Sequence, residues 1–147
     1  MKVEDSVLKH LIVREQQILA VEAFAAAAAP WVSPEIFRGR DSIWFVDNSS
    51  AVSTLIRGSA KPEDIDNISA MVTLQNAILD HGVWFEWIDS DSNPSDGLSR
   101  LGLEDPWTLE QDWKLAEVSK VAWSDLFTTF ALESLQSRVD LGVAAAA

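Results

Sequence analysis

Three carboxylates stand where the surrounding sequence would bring chemistry. The apolar run Ile43-Trp44-Phe45-Val46 ends in Asp47, and the run Trp84-Phe85-Glu86-Trp87-Ile88 ends in an acidic turn-forming stretch that leads to Asp96. Short runs of β-branched and aromatic residues read as buried strands, and ligands of open α/β sheets bind beyond the carboxyl ends of parallel strands. Asp47 and Asp96 therefore fall where a ligand is expected. Upstream, Glu22 shares a helical face with Ile18, Ala25, Ala26 and Ala29, and a carboxylate in such a small-residue stripe needs a partner.

The elements that position these acids follow from periodicity and punctuation. A helix is predicted from Glu15 to Ala29 and is expected to stop at Pro30, because the residue before a proline avoids helical geometry. Trp31 to Asp41, with Pro34 and Gly39, reads as a loop whose Arg38-Gly39-Arg40-Asp41 turns into the first strand. Ser49 or Ser50 is expected to cap a short helix that Gly58 ends. Pro62 opens a longer one, with Glu63, Asp64 and Asp66 near its positive end and Ile65, Ile68, Met71, Val72, Ile78 and Leu79 as its buried face. Gly82 is expected to end it. About two dozen residues of helical pattern between two strands make a parallel crossover unit. In the strand Ser42 to Asp47, Trp44 and Val46 alternate with Ile43 and Phe45, so both faces are expected to be buried, with Val83 to Ile88 as its neighbour.

Taken together, these residues resemble the ribonuclease H-like domain of retrotransposon polyproteins. The resemblance is carried by Val46-Asp47-Asn48 followed by Ser49-Ser50-Ala51, by Asn93-Pro94-Ser95-Asp96-Gly97-Leu98-Ser99-Arg100, and by Arg14-Glu15-Gln16-Gln17-Ile18-Leu19-Ala20-Val21-Glu22-Ala23. Gly102-Leu103-Glu104-Asp105-Pro106-Trp107 also looks like the segment C-terminal to the domain in some of these elements, so the likeness covers roughly residues 12–115. It implies catalytic and metal-binding roles for Glu22, Asp47 and Asp96, which in the family help hold two Mg2+ or Mn2+ ions for phosphodiester cleavage in an RNA–DNA hybrid. The three carboxylates would then lie within about one metal-bridging distance, roughly 4 Å.

A fourth carboxylate of that pattern is missing. The family carries it on a three-stranded meander before the first helix, and Met1 to Val13 cannot hold three strands of ordinary length. The expected fold is therefore α/β and ribonuclease H-like but N-terminally truncated: a parallel strand pair flanked by helices over residues 1–115, plus a C-terminal helical extension over residues 116–147. Without the meander, the strand at residues 42–47 would present an unpaired aromatic edge, which a protein partner or a segment encoded further upstream would cover.

Composition narrows the functions. The chain of 147 residues is 48% hydrophobic, enough for one small core, and its seven Trp and six Phe with no Tyr make that core aromatic. It has no Cys, which excludes disulfides, thiolate metal sites and a Cys nucleophile. His10 and His81 each sit near an expected helix end and read as solvated or capping residues. A net charge of −12 opposes tight autonomous binding to nucleic acid; Arg38 and Arg40 are the one close basic pair, with Arg57, Lys61 and Arg100 isolated. Residues 18–32 are nearly all apolar, yet the stretch is too short for a membrane span and contains Glu22 and Pro30. No secretory signal and no Gly-rich phosphate loop are recognisable. Beyond the motif, Trp107 and Trp113 bracket an acidic segment, and Ser124 opens an amphipathic pattern with Leu126, Phe127, Phe130, Ala131, Leu135 and Val139.

Two functions are thus expected. One is a retroelement-derived module, ancestrally a two-metal phosphodiesterase acting on an RNA–DNA hybrid and catalytically incomplete as this chain. The alternative is a non-catalytic structural or interaction subunit of a larger assembly, with no cofactor.

Overall fold

A computed structural model of the chain describes residues 5–15, 17–112 and Ser137. The expected extension at residues 116–147, the amphipathic pattern from Ser124 to Val139 and Trp113 lie outside the described residues, Ser137 excepted.

Seven helices and two strands occur in the order α1 (Asp5–Leu8), α2 (Ile18–Val32), α3 (Pro34–Phe37), β1 (Asp41–Val46), α4 (Ser49–Arg57), α5 (Glu63–Leu79), β2 (Gly82–Trp87), α6 (Ser95–Leu101) and α7 (Pro106–Glu110) among the described residues. β1 and β2 pair in parallel, Asp41 opposite Gly82 through Val46 opposite Trp87, with α4 and α5 forming the crossover. The α/β architecture with a helix-flanked parallel pair is as the sequence predicts. Each strand begins and ends one residue earlier than expected.

The core forms where α2 meets α4 and α5. Ala20, Ala23, Ala26 and Ala27 let α2 approach closely, while Phe24 and Trp31 fill the space against Val52, Leu55, Ile65, Ile68 and Val72. This stripe is not the expected one. Ala25 is exposed and Ile18 is 59% exposed, so Glu22 sits half-buried at the flank of the contact. Nor does Pro30 end α2, which runs on to Val32. A proline removes one backbone donor, and here the loss falls near the helix end, where the buried Trp31 holds the last turn in the core. The expected loop at residues 31–41 accordingly contains that last turn and α3.

α4 is capped one residue earlier than predicted: the Asn48 side chain accepts from the N–H groups of Ser50 and Ala51 at 3.0 and 3.1 Å. Gly58, at φ 64°, ends it as expected. α5 ends at Leu79 with Asp80, at φ 50°, as its C-terminal cap, and Gly82, the expected stop, instead opens β2. The lead-in is clamped to α5 by Asp64, which accepts from Arg14 Nη2 at 2.6 Å and from the Ile12 N–H at 2.9 Å. Burial pushes the Asp64 carboxyl up, but these donors outweigh it and hold the group below its usual range.

The expectation that both faces of β1 are buried is corrected. In a parallel pair, opposed residues share a face, and Ser42, Trp44 and Val46 with Val83 and Phe85 turn toward the helices. Ile43, Phe45 and Trp84 lie on the other face and are 62%, 56% and 65% exposed. All three large helices contribute to the same core, which leaves that second face open.

Candidate functional site

Asp47 follows β1 directly, and its position is fixed on three sides. Asn48 is committed to capping α4, the Asp47 carbonyl accepts from Trp87 Nε1 at 3.2 Å, and its Oδ2 lies 3.4 Å from Asn93 Nδ2. The last of these is a long, weak hydrogen bond. It nevertheless ties the end of β1 to the turn that carries Asp96.

Glu22 reaches the same spot from α2. Burial, the charge of Asp47 and a hydrogen bond to the Asp47 side chain together push its carboxyl up to about 7. Two carboxylates held this close cannot both ionise freely, so Glu22 keeps its proton to a higher pH than a free glutamate would. A divalent cation between them would satisfy the same electrostatics in the proton's place.

Asp96 is placed differently. The turn before it is built by Asn93, whose Oδ1 accepts from the Ser95 N–H at 3.1 Å and the Ser95 hydroxyl at 2.7 Å. Asp96 Oδ1 then accepts from Arg100 Nε at 2.9 Å, one turn along α6. The structure thus brings Glu22 and Asp47 together and engages Asp96 with Arg100. Among the described residues, no three His, Cys, Asp or Glu side chains are grouped so as to hold one metal ion.

Gly97 is fixed by packing. A Cβ there would collide with the carboxylate of Asp105, which is buried and caps α7 through the Thr108 N–H and hydroxyl, both at 2.8 Å. The Asp-Gly pair of the motif therefore combines a polar residue with the space a second carboxylate requires.

A polar cluster that sequence reasoning missed lies at the opposite end of the strands. His81 is 6% exposed, not solvated, and it sits between Ser42 Oγ at 2.7 Å from Nε2 and Asn76 Oδ1 at 2.9 Å from Nδ1. Burial depresses its pKa below the usual histidine value, against an opposing pull from Asp41. The neutral ring satisfies both partners: Nδ1–H donates to Asn76 and Nε2 accepts from the Ser42 hydroxyl. The Phe37 ring, 5.2 Å away, closes the cluster. Its one signal in the sequence is the position of His81 between a helix stop and a strand. His10 is exposed.

In comparison with known proteins, no family model, no curated protein and no solved structure matches this chain. No helix among the described residues is long and apolar enough to cross a membrane.

Proposed function

We propose that this chain is a ribonuclease H-like module of retroelement origin, ancestrally a two-metal phosphodiesterase on RNA–DNA hybrids, and catalytically incomplete as it stands. The observation that supports this most is the contact of Glu22 with Asp47 at the carboxyl end of β1, two residue types at two positions that the resemblance pairs. Mg2+ or Mn2+ would be held by these two carboxylates, and by Asp96 once Arg100 releases it. The ion's chemistry there is to stabilise charge on phosphodiester oxygens. Glu22 and Asp47 fit a cation in that two carboxylates approach each other there and concentrate negative charge. They are few for an ion that prefers six oxygens, so binding is weak and water completes the shell.

The test has two parts. Mn2+ should bind the purified chain, and binding should be lost in Asp47→Asn; equal binding by wild type and variant overturns the site. The chain alone should not hydrolyse a hybrid with either metal, and metal-dependent cleavage abolished by Asp47→Asn would overturn its incompleteness.

A second reading, an interaction subunit of a larger assembly, is favoured by the exposed Ile43, Phe45 and Trp84 and by the edge of β1 that no described strand pairs. It expects the isolated chain to self-associate. A monodisperse, cooperatively melting monomer at high concentration would remove it.

A further inference from the structure

The cleft beside α4 is lined by hydroxyls and two cations in a chain that is acidic overall. It encloses about 730 Å3 between α4, the loop to α5 and Leu19 of α2. Ser49, Ser50, Ser53 and Ser59 contribute hydroxyls, Arg57 and Lys61 contribute positive charge, and no carboxylate is among the lining residues. The chain as a whole carries a net charge of −12, so the two cations here stand against its overall charge. Among the described residues, neither cation belongs to the ion pairs of Arg14 with Asp64 and Arg100 with Asp96. Of the acids in the first turn of α5, Asp66 Oδ1 accepts the Ala60 N–H at 2.8 Å and Asp64 holds Arg14, while Glu63 follows the cleft residue Pro62. Arg57 Nε donates to the Ser53 carbonyl at 3.1 Å, which anchors the base of its guanidinium and leaves the terminal nitrogens for a ligand.

The cleft also has a direction. Ser49 and Ser50 begin it two and three residues after Asp47, and Arg57 ends it eight residues along the helix from Ser49. At 1.5 Å per residue that is about 12 Å. Hydroxyls near the acid pair and cations farther off suit a polyanion whose phosphates lie beyond the acids, because carboxylates repel phosphate and the separation keeps the two apart.

We propose that this cleft binds the phosphodiester backbone of a nucleic-acid strand as it leaves the Glu22–Asp47 pair, with Arg57 and Lys61 contacting successive phosphates. This rests on the nuclease-module reading and supplies what that acidic surface lacks, a local footing for its substrate. Binding is weak and strongly salt-dependent, since two contacts work against a net negative chain.

The test is fluorescence anisotropy of a short labelled RNA–DNA hybrid titrated with the full chain in EDTA, across a series of salt concentrations. Each neutralised phosphate contributes a slope of about 0.9 in log affinity against log salt, so R57Q/K61Q should flatten the dependence by about 1.8 and weaken low-salt binding by roughly ten-fold or more. R38Q/R40Q, which removes the same charge outside the cleft, should change neither. No binding by the wild type, or equal loss in both double variants, overturns the proposal. Because metal is absent throughout, the acid pair's role does not enter this result, and failure of the cleft would leave the Mn2+ titration of the acid pair intact.

Discussion

At the start of β1 and β2, both ring nitrogens of the buried His81 meet a neutral partner; at their far end, Glu22 meets a second carboxylate. Six residues of strand, roughly 20 Å, separate the two clusters. Burial acts on both and favours the neutral form in each. The histidine gains by it, because a neutral imidazole is what Ser42 and Asn76 need. The glutamate is pushed toward protonation by burial first, and then by the charge of Asp47 and the hydrogen bond to its side chain. A cluster in which every polar atom is satisfied without a ligand holds the fold together. One that brings two carboxylates together depends on a proton or a cation from solvent to offset their charge.

The largest effect that could break this contrast lies at the histidine end. His81→Ala strands the Ser42 hydroxyl and the Asn76 amide and opens a space beside Phe37, so it should cost about 2–3 kcal/mol in urea unfolding. A loss below about 0.5 kcal/mol would mean the cluster is not structural.

A smaller effect separates charge from simple lack of a partner. Gln75 is fully buried in α5, and neither its amide nitrogen nor its oxygen has a hydrogen-bond partner. Gln75→Leu should raise stability by about 1 kcal/mol at every pH. A pH-dependent gain would show that Gln75 is coupled to a titrating group.

Glu22→Gln should give a comparable gain, but one with a pH signature. The Glu22 carboxyl is raised from 4.5 to about 7, so the native state holds its proton more tightly than the unfolded chain. Its contribution is fully present below about pH 4.5 and is lost as pH rises through about 7. Near pH 8 the variant should therefore exceed wild type by about 1 kcal/mol, a figure discounted for the solvent that screens a half-buried pair, and near pH 4 the two should coincide. His81 runs the other way. Its pKa is lowered, so its contribution is present above 6.5 and lost as pH falls through the depressed folded value. Equal slopes in the two variants would erase the distinction between the ends.

The parallel pair, its crossover and the meeting of Glu22 with Asp47 concern residues legible in the chain. Strands announce themselves by β-branched and aromatic runs, and Asp47 and Glu22 are nominated together by the resemblance alone. The features that were not legible depend on tertiary context. Residues 68, 72, 75 and 79 share one face of α5, and the polarity of Gln75 hides its place there. Pro30 reads locally as a stop, yet Trp31 in the core outweighs the local preference. Alternation in β1 is real, but an alternating pattern of apolar residues on both faces does not say which face the helices cover. The Ser42–His81–Asn76 cluster joins residues up to 39 positions apart, beyond what spacing reveals.

The smallest expected effect bears most directly on the acid end. Arg100 and Asp96 form an exposed pair one helical turn apart, and such pairs contribute about 0.3–0.5 kcal/mol. Arg100→Gln should therefore leave unfolding within that margin. Its consequence for metal should be larger than its consequence for folding. If Asp96 belongs with Glu22 and Asp47, removing its guanidinium partner frees an oxygen ligand and takes away a positive charge that competes with the cation. Mn2+ affinity should then rise several-fold in Arg100→Gln, and the rise should vanish when Asp96→Asn is added. An unchanged affinity would confine the site to the two carboxylates that already touch, and would leave Asp96 with the role its surroundings give it, the first turn of α6.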